Sequence, residues 1–294
     1  MSKVLFYLVL KPLSLLPLWA LHSFSNFLFF MIYRVFGYRK EVVKTNIKNA
    51  FPEYSEEQVN EVSKKFFKHL CDLIVESIKL FSISNKEAQK RVKTINPEVL
   101  DKYFDQGRDI VLTGAHYNNW EMFAVTVNNQ IKHKPYGIYF PLKNEFINKK
   151  MKESRSKFGL NMISAKEVKP TFEKKEEPKL VIFATDQSPS NTRKAYWMEF
   201  LNQDTGVLFG AEKYAKDYNC VVASGKMVKI KRGYYEITYS ILHDDVTDLK
   251  YGQITESHTR FNEKIIKSKP EFWLWSHKRW KHKRPEGKLI QDER

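Results

Sequence analysis

The sequence predicts an α/β fold, with a mixed, partly parallel sheet flanked by helices and an N-terminal membrane-associated helix. Three observations point there. Short apolar runs alternate with segments of helical periodicity through most of the chain. Two of those runs end abruptly in polar residues, as buried parallel strands do. The first 33 residues are the most apolar stretch of a chain that is otherwise strongly basic.

Each element has its own signal. In residues 55–81, Ser55 and Gln58 have capping-box spacing. Val59, Val62, Phe66, Leu70, Leu73 and Ser77 then recur every three or four residues, which predicts one amphipathic helix. Residues 85–106 read as helix and connection. Residues 109–113 (DIVLT) and 179–185 (KLVIFAT) read as buried strands, and 136–140 and 220–224 as further strands. Residues 226–231 and 234–241, joined at Arg232-Gly233, read as a hairpin. Residues 145–158 and 207–217 are helical between them.

At the N-terminus, residues 13–33 (LSLLPLWALHSFSNFLFFMIY) carry no Asp, Glu, Lys or Arg. Spanning a bilayer takes roughly 20 apolar residues. The run is long enough, but Pro17, His22, Ser23, Ser25 and Asn26 interrupt it. It reads as one imperfect span or as a broken helix lying in the interface. The bland alternative is a buried core helix. A cleaved signal peptide fits poorly, with Lys3 as the sole basic residue ahead of the apolar run and no small-residue cleavage site. Arg34, Arg39 and Lys40 follow directly and place the following domain on the cytoplasmic side. The expected division is a membrane anchor over residues 1–36 and one domain over 37–294.

Composition narrows the function classes. Lys and Arg number 50 against 34 Asp and Glu, a net charge of +16, and such a field attracts nucleic acid, anionic lipid headgroups or acidic carrier proteins. A nucleic-acid binder has no use for the apolar N-terminus, and no RNP-like, zinc-finger or similar nucleic-acid motif occurs. Nucleic acid is therefore not an expected partner. Cys71 and Cys220 stand far apart with no CxxC, which argues against a disulfide framework or a metal site. His277 and His282 have no further ligand nearby. No cofactor is expected.

Chemistry gathers after the strand at 109–113, in GAHYNNWE (114–121). Strand ends of open α/β sheets are where sites form. Within one helix, His116 and Glu121 would diverge by about 140°. They converge if His116 lies in the turn and Glu121 in the first turn of the next helix, where the helix dipole also favours a carboxylate. An imidazole can accept the proton of an attacking hydroxyl while a carboxylate fixes its tautomer. No GxSxG elbow occurs, and no cysteine stands near a histidine. An HxxxxE spacing alone is common and arises by chance.

Its context is more specific. GAHYNNWE resembles the HxxxxE block of the bacterial lipid A late acyltransferases, within the wider glycerolipid acyltransferases that share an HxxxxD/E motif. Four further segments resemble that family's blocks in order: residues 37–58 (GYRKEVVKTNIKNAFPEYSEEQ), 139–159 (YFPLKNEFINKKMKESRSKFG), 183–189 (FATDQSP) and 270–285 (PEFWLWSHKRWKHKRP). The resemblance implies an O-acyltransferase. It would move an acyl chain from acyl carrier protein to a hydroxyl of a lipid A precursor, at the cytoplasmic side of the bacterial inner membrane.

It also implies roles. His116 would be the general base, and Glu121 would orient and polarise it. Arg155 would stabilise the thioester oxyanion or hold an acceptor phosphate. Asp186 and Gln187 would help to build the same site. Residues 188–194 (SPSNTRK) depart from the glycine-rich stretch of the best-known members, which leaves donor length and acceptor identity open. An amino-acid-linked lipid, a lysophospholipid, or a membrane scaffold without catalysis are the alternatives. Residue by residue, Arg155 sits among Lys149, Lys150, Lys152 and Lys157 and could be one more solvated charge, while Asp186 could cap a turn. Trp273, Trp275 and Trp280, mixed with Lys278, Arg279, Lys281, Lys283 and Arg284, suit a membrane interface or a packed terminal segment.

Overall fold

A computed structural model describes residues 2–287. Residues 1 and 288–294, at the outer ends of the expected divisions 1–36 and 37–294, lie outside the described residues. Among the described residues nine strands form: β1 (Val92–Thr94), β2 (Ile110–Gly114), β3 (Lys134–Tyr139), β4 (Asn161–Ser164), β5 (Lys179–Ala184), β6 (Tyr196–Phe200), β7 (Gln203–Val207), β8 (Val221–Lys231) and β9 (Tyr234–His243). Seven of them make one sheet in the order β1-β9-β8-β2-β5-β3-β4, and β6 with β7 makes a separate antiparallel ribbon. All pairings in the large sheet are parallel except β8 with β9. The α/β class with a mixed, largely parallel sheet is as expected.

The central strands are buried on both faces, because helices cover each side. Ile110, Val111, Leu180, Val181, Val221 and Val222 are fully buried. The runs at 220–224 and 226–231 form one long strand, β8, rather than two. The hairpin to β9 turns where expected, with Gly233 at φ 75°, a conformation open to glycine at little cost. The short edge strands β1 and β4 and the β6–β7 ribbon have no counterpart in the sequence reading.

The helix expected at 55–81 runs Glu56–Lys79. Both halves of its capping box form: Gln58 N donates to Ser55 Oγ at 3.3 Å, and Ser55 N donates to Gln58 Oε1 at 2.8 Å. Its buried face is wider than the predicted stripe. It takes in Phe67, Cys71 and Val75, and also the polar His69, Asp72 and Glu76.

The N-terminal apolar segment is broken rather than continuous. Leu16 leaves helical geometry ahead of Pro17, the helix Leu18–Phe29 follows, and a π-helical stretch ends at left-handed Gly37. Proline cannot continue a helix that needs its N–H, which accounts for the break. Among the described residues no helix is long and apolar enough to cross a membrane. One side of the segment packs on the body of the protein, with Leu18 and Leu21 against Val75. The other side leaves Leu8, Trp19, Phe27, Phe30 and Phe36 exposed.

Candidate active site

The site follows from the β2–β5 register. These neighbours pair in parallel up to Gly114 opposite Ala184. Thr185 N extends the ladder by donating to Gly114 O at 3.0 Å. Two residues past the last pair, each chain turns inward. His116 and Asp186 meet there at the carboxyl edge of the sheet.

Asp186 Oδ1 lies 2.7 Å from His116 Nδ1, and Asp186 Oδ2 accepts the backbone N–H of His116 at 2.8 Å. The indole Nε1 of Trp273 donates to the same Oδ2 at 2.9 Å. Asp186 is buried, and burial pushes its pKa up. The facing imidazole and these hydrogen bonds more than offset that and hold it at about 2. Burial likewise lowers the pKa of His116, but the charge and hydrogen bond of Asp186 outweigh it, so the imidazole lies above its ordinary value. With Nδ1–H directed to Asp186, Nε2 is the free basic atom. Gln187 Nε2 stands 3.2 Å from it, and the Trp120 ring lies edge-on to the imidazole at 5.1 Å between centroids.

Glu121 is placed differently from the expectation. It lies in the first turn of the short helix Trp120–Ala124, as predicted, and Asn119 caps that helix by accepting from Met122 N at 2.9 Å. Its carboxylate, however, faces Arg155 on the helix Glu145–Ser156. Arg155 Nε donates to Glu121 Oε2 at 2.7 Å, and Nη2 donates to Oε1. The two make a fork-to-fork pair. The partner that orients His116 is Asp186, because the strand register delivers it there while the helix turns Glu121 toward Arg155.

His116, Glu121 and Arg155 all line one cavity of about 190 Å³. Thr113 and Asn262 also line it, and the rest of its walls are mostly apolar, including Leu112, Ile138, Leu160, Met162, Ile182 and Met227. The arrangement combines an imidazole held by one carboxylate, a guanidinium held by another, and a largely apolar cavity beside them. Among the described residues no group of three or more His, Cys, Asp or Glu side chains is placed to hold a metal ion.

Sequence reasoning missed the C-terminal contribution. Of the two readings of the C-terminal tryptophans, the packed segment holds for Trp273 and Trp275, which are buried in the core. Arg279 is buried as well and donates to Gly206 O at 2.7 Å. His277 Nε2 accepts from Ser188 N at 3.1 Å and fixes the chain just past Gln187. The available signal was the indole N–H itself, which needs a partner when buried.

A family model described as bacterial lipid A biosynthesis acyltransferase matches residues 2–282. No curated protein matches the chain.

Proposed function

The chain belongs to the bacterial lipid A biosynthesis acyltransferase family, and from that premise we propose that it transfers an acyl chain from an acyl carrier protein thioester to a hydroxyl of a lipid A precursor. The observation that carries the mechanism is His116, held by Asp186, at the polar end of an apolar cavity.

In this reading the acyl chain lies in the apolar cavity with its thioester carbonyl toward Arg155. The acceptor hydroxyl takes the place of the Gln187 amide at His116 Nε2. His116 removes the hydroxyl proton as the oxygen attacks the carbonyl carbon. Asp186 stabilises the imidazolium that forms, as the acid does in other histidine-based acyl transfer. Arg155, kept straight by Glu121, faces the negative charge on the thioester oxygen. Collapse of the tetrahedral species expels the thiolate, which takes the proton from His116. Glu121 thus acts mainly through Arg155, and its charge also helps to raise the His116 imidazole.

The N-terminal segment supports a membrane-bound enzyme. It exposes the large apolar side chains Leu8, Trp19, Phe27, Phe30 and Phe36 within one segment, and concentrated apolar exposure marks membrane or partner contact. Exposed Arg34 and Arg39 lie at its C-terminal end. We read this segment as lying in the cytoplasmic leaflet of the inner membrane, next to its lipid acceptor.

The test uses detergent-solubilised protein with acyl carrier protein charged with chains of several lengths, a lipid A precursor, and a His116→Ala control. Added acyl mass on the precursor, absent with the variant, is expected. Parallel arms with acyl-coenzyme A, a lysophospholipid and an amino-acid-linked lipid discriminate donor and acceptor. Transfer in none of them would contradict the proposal.

A further inference from the structure

Glu76 is fully buried in the middle of the molecule, yet it contacts neither His116 nor the cavity. Its carboxylate gathers three separate parts of the chain. His22 Nε2, on the N-terminal helix Leu18–Phe29, lies 2.9 Å from Oε1. Asn119 Nδ2 donates to Oε2 at 2.6 Å, and Tyr235 Oη on β9 donates to the same oxygen at 2.8 Å. One turn earlier on the same helix, buried Asp72 repeats the pattern. It accepts from Ser25 Oγ at 2.7 Å and Lys229 Nζ at 3.1 Å, and Arg232 donates to it while also reaching Asn26 Oδ1 at 3.0 Å.

Asn119 links this network to the site. Its Nδ2 is used by Glu76, and its Oδ1 caps the helix that carries Glu121, the partner of Arg155. Three residues before it stands His116. The same loop is pinned elsewhere by Asn118, at φ 55°, whose N donates to Phe272 O at 2.9 Å and whose Nδ2 donates to Met227 O at 2.8 Å. The loop therefore has fixed anchors on the body, and one anchor, Asn119, shared with the N-terminal helix through Glu76.

Seating an apolar helix needs no buried carboxylate, because Leu18, Leu21 and Val75 already provide apolar contact. Burying a carboxylate costs free energy unless its partners are all in place. Here one of those partners belongs to the segment read above as membrane-bound and another to the loop of His116. We propose that Glu76 is a positioning residue that couples the seating of the N-terminal helix to the geometry of the His116 loop and the Glu121–Arg155 pair. The N-terminal segment is then part of the working site as well as an attachment. This inference rests on the acyl-transfer reading given above.

The test measures kcat and KM of acyl transfer, together with thermal unfolding, for the wild type, Glu76→Gln, His22→Ala, Asn119→Ala and the His22→Ala/Asn119→Ala double variant, all full-length in detergent. Glu76→Gln should lower kcat by roughly 10- to 100-fold while KM for the acyl donor stays within about twofold, as expected when catalytic groups are displaced and the chain-binding slot is not. His22 and Asn119 share Glu76, so the double variant should lose less kcat than the product of the two single losses. The two single variants remove side chains at either end of the network, so they test the coupling even if Glu76→Gln does not fold. Losses that multiply, or lowered melting temperatures with unchanged kcat, would make Glu76 a purely structural group and overturn the inference. Failure of the wild type to transfer any acyl chain would instead overturn the acyl-transfer reading, and this inference with it.

Discussion

Asp186 Oδ1 lies 2.7 Å from His116 Nδ1, and the other oxygen of the same carboxylate holds the backbone N–H of His116 at 2.8 Å. One acid thus fixes both the ring and the main chain of the histidine. The neighbouring Glu121 is engaged by Arg155. An acid–imidazole pair and an acid–guanidinium pair thus make separable predictions.

Arg155→Lys should lower kcat by about 100-fold, because an ammonium cannot reproduce the two-pronged contact with Glu121 or the fixed direction of the guanidinium. Glu121→Gln should fall between that variant and the wild type, since the guanidinium remains but loses its charged partner. Steady-state kinetics on both variants checks the order. Equal activity of wild type and Arg155→Lys would contradict the role assigned to Arg155.

The raised pKa of His116 sets a pH dependence. A general base must be neutral, so activity should rise with pH through a midpoint above about 6.5, the ordinary histidine value. In Asp186→Asn the largest of the charges that raise the imidazole is gone, burial and the smaller effect of Glu121 remain, and the midpoint should move to lower pH. The stability consequence has the sign of a depressed carboxylate. Ionised Asp186 stabilises the fold above the ordinary Asp pKa of about 3.9, and that contribution is lost as pH falls toward about 2. Acid unfolding of wild type and Asp186→Asn, followed by circular dichroism, checks this.

Chain-length preference should respond to Gly137 on β3. A Cβ there would stand 3.3 Å from Met162 Sδ and 3.4 Å from Leu160 Cδ2, both in the cavity wall. Gly137→Val should narrow the slot and shift preference to shorter donors. Each methylene excluded costs about 0.8 kcal/mol, close to fourfold in affinity. Competition between acyl carrier proteins of different chain length reads this out, and an unchanged preference would place the chain elsewhere.

The exposed N-terminal aromatics predict attachment to a bilayer. Binding to vesicles containing anionic lipid should weaken on raising salt and weaken further in Trp19→Ala/Phe36→Ala, with the fold intact. Vesicle flotation measures it. Equal flotation of the double variant and the wild type would count against that surface.

Much of this architecture was legible in local patterns. The strand at 109–113 and its GAHYNNWE continuation placed His116 at a sheet edge, and the capping box placed the helix that begins at Glu56. What local patterns could not give was sheet order. Asp186 is 70 residues from His116, and only the β2–β5 register makes them neighbours. Glu121, five residues away in sequence, was the nearer choice on paper. A short helix turns it aside. The edge strands β1 and β4 are three and four residues long, too short for a period to show. For Trp273 the surrounding basic residues leave an interfacial and a packed reading both open. Its indole N–H instead serves a buried carboxylate, a long-range pairing that composition does not reveal.

The most direct test of the central claim, that Asp186 and not Glu121 is the partner of the His116 base, is the single-turnover rate of acyl transfer by Asp186→Asn beside Glu121→Gln as a function of pH. Asp186→Asn should lose about 10³- to 10⁴-fold, the scale seen when the acid partner of a catalytic histidine is neutralised, with the pH midpoint displaced downward. Glu121→Gln should lose less. Near-normal transfer by Asp186→Asn, with the larger loss and midpoint shift in Glu121→Gln, would contradict the claim.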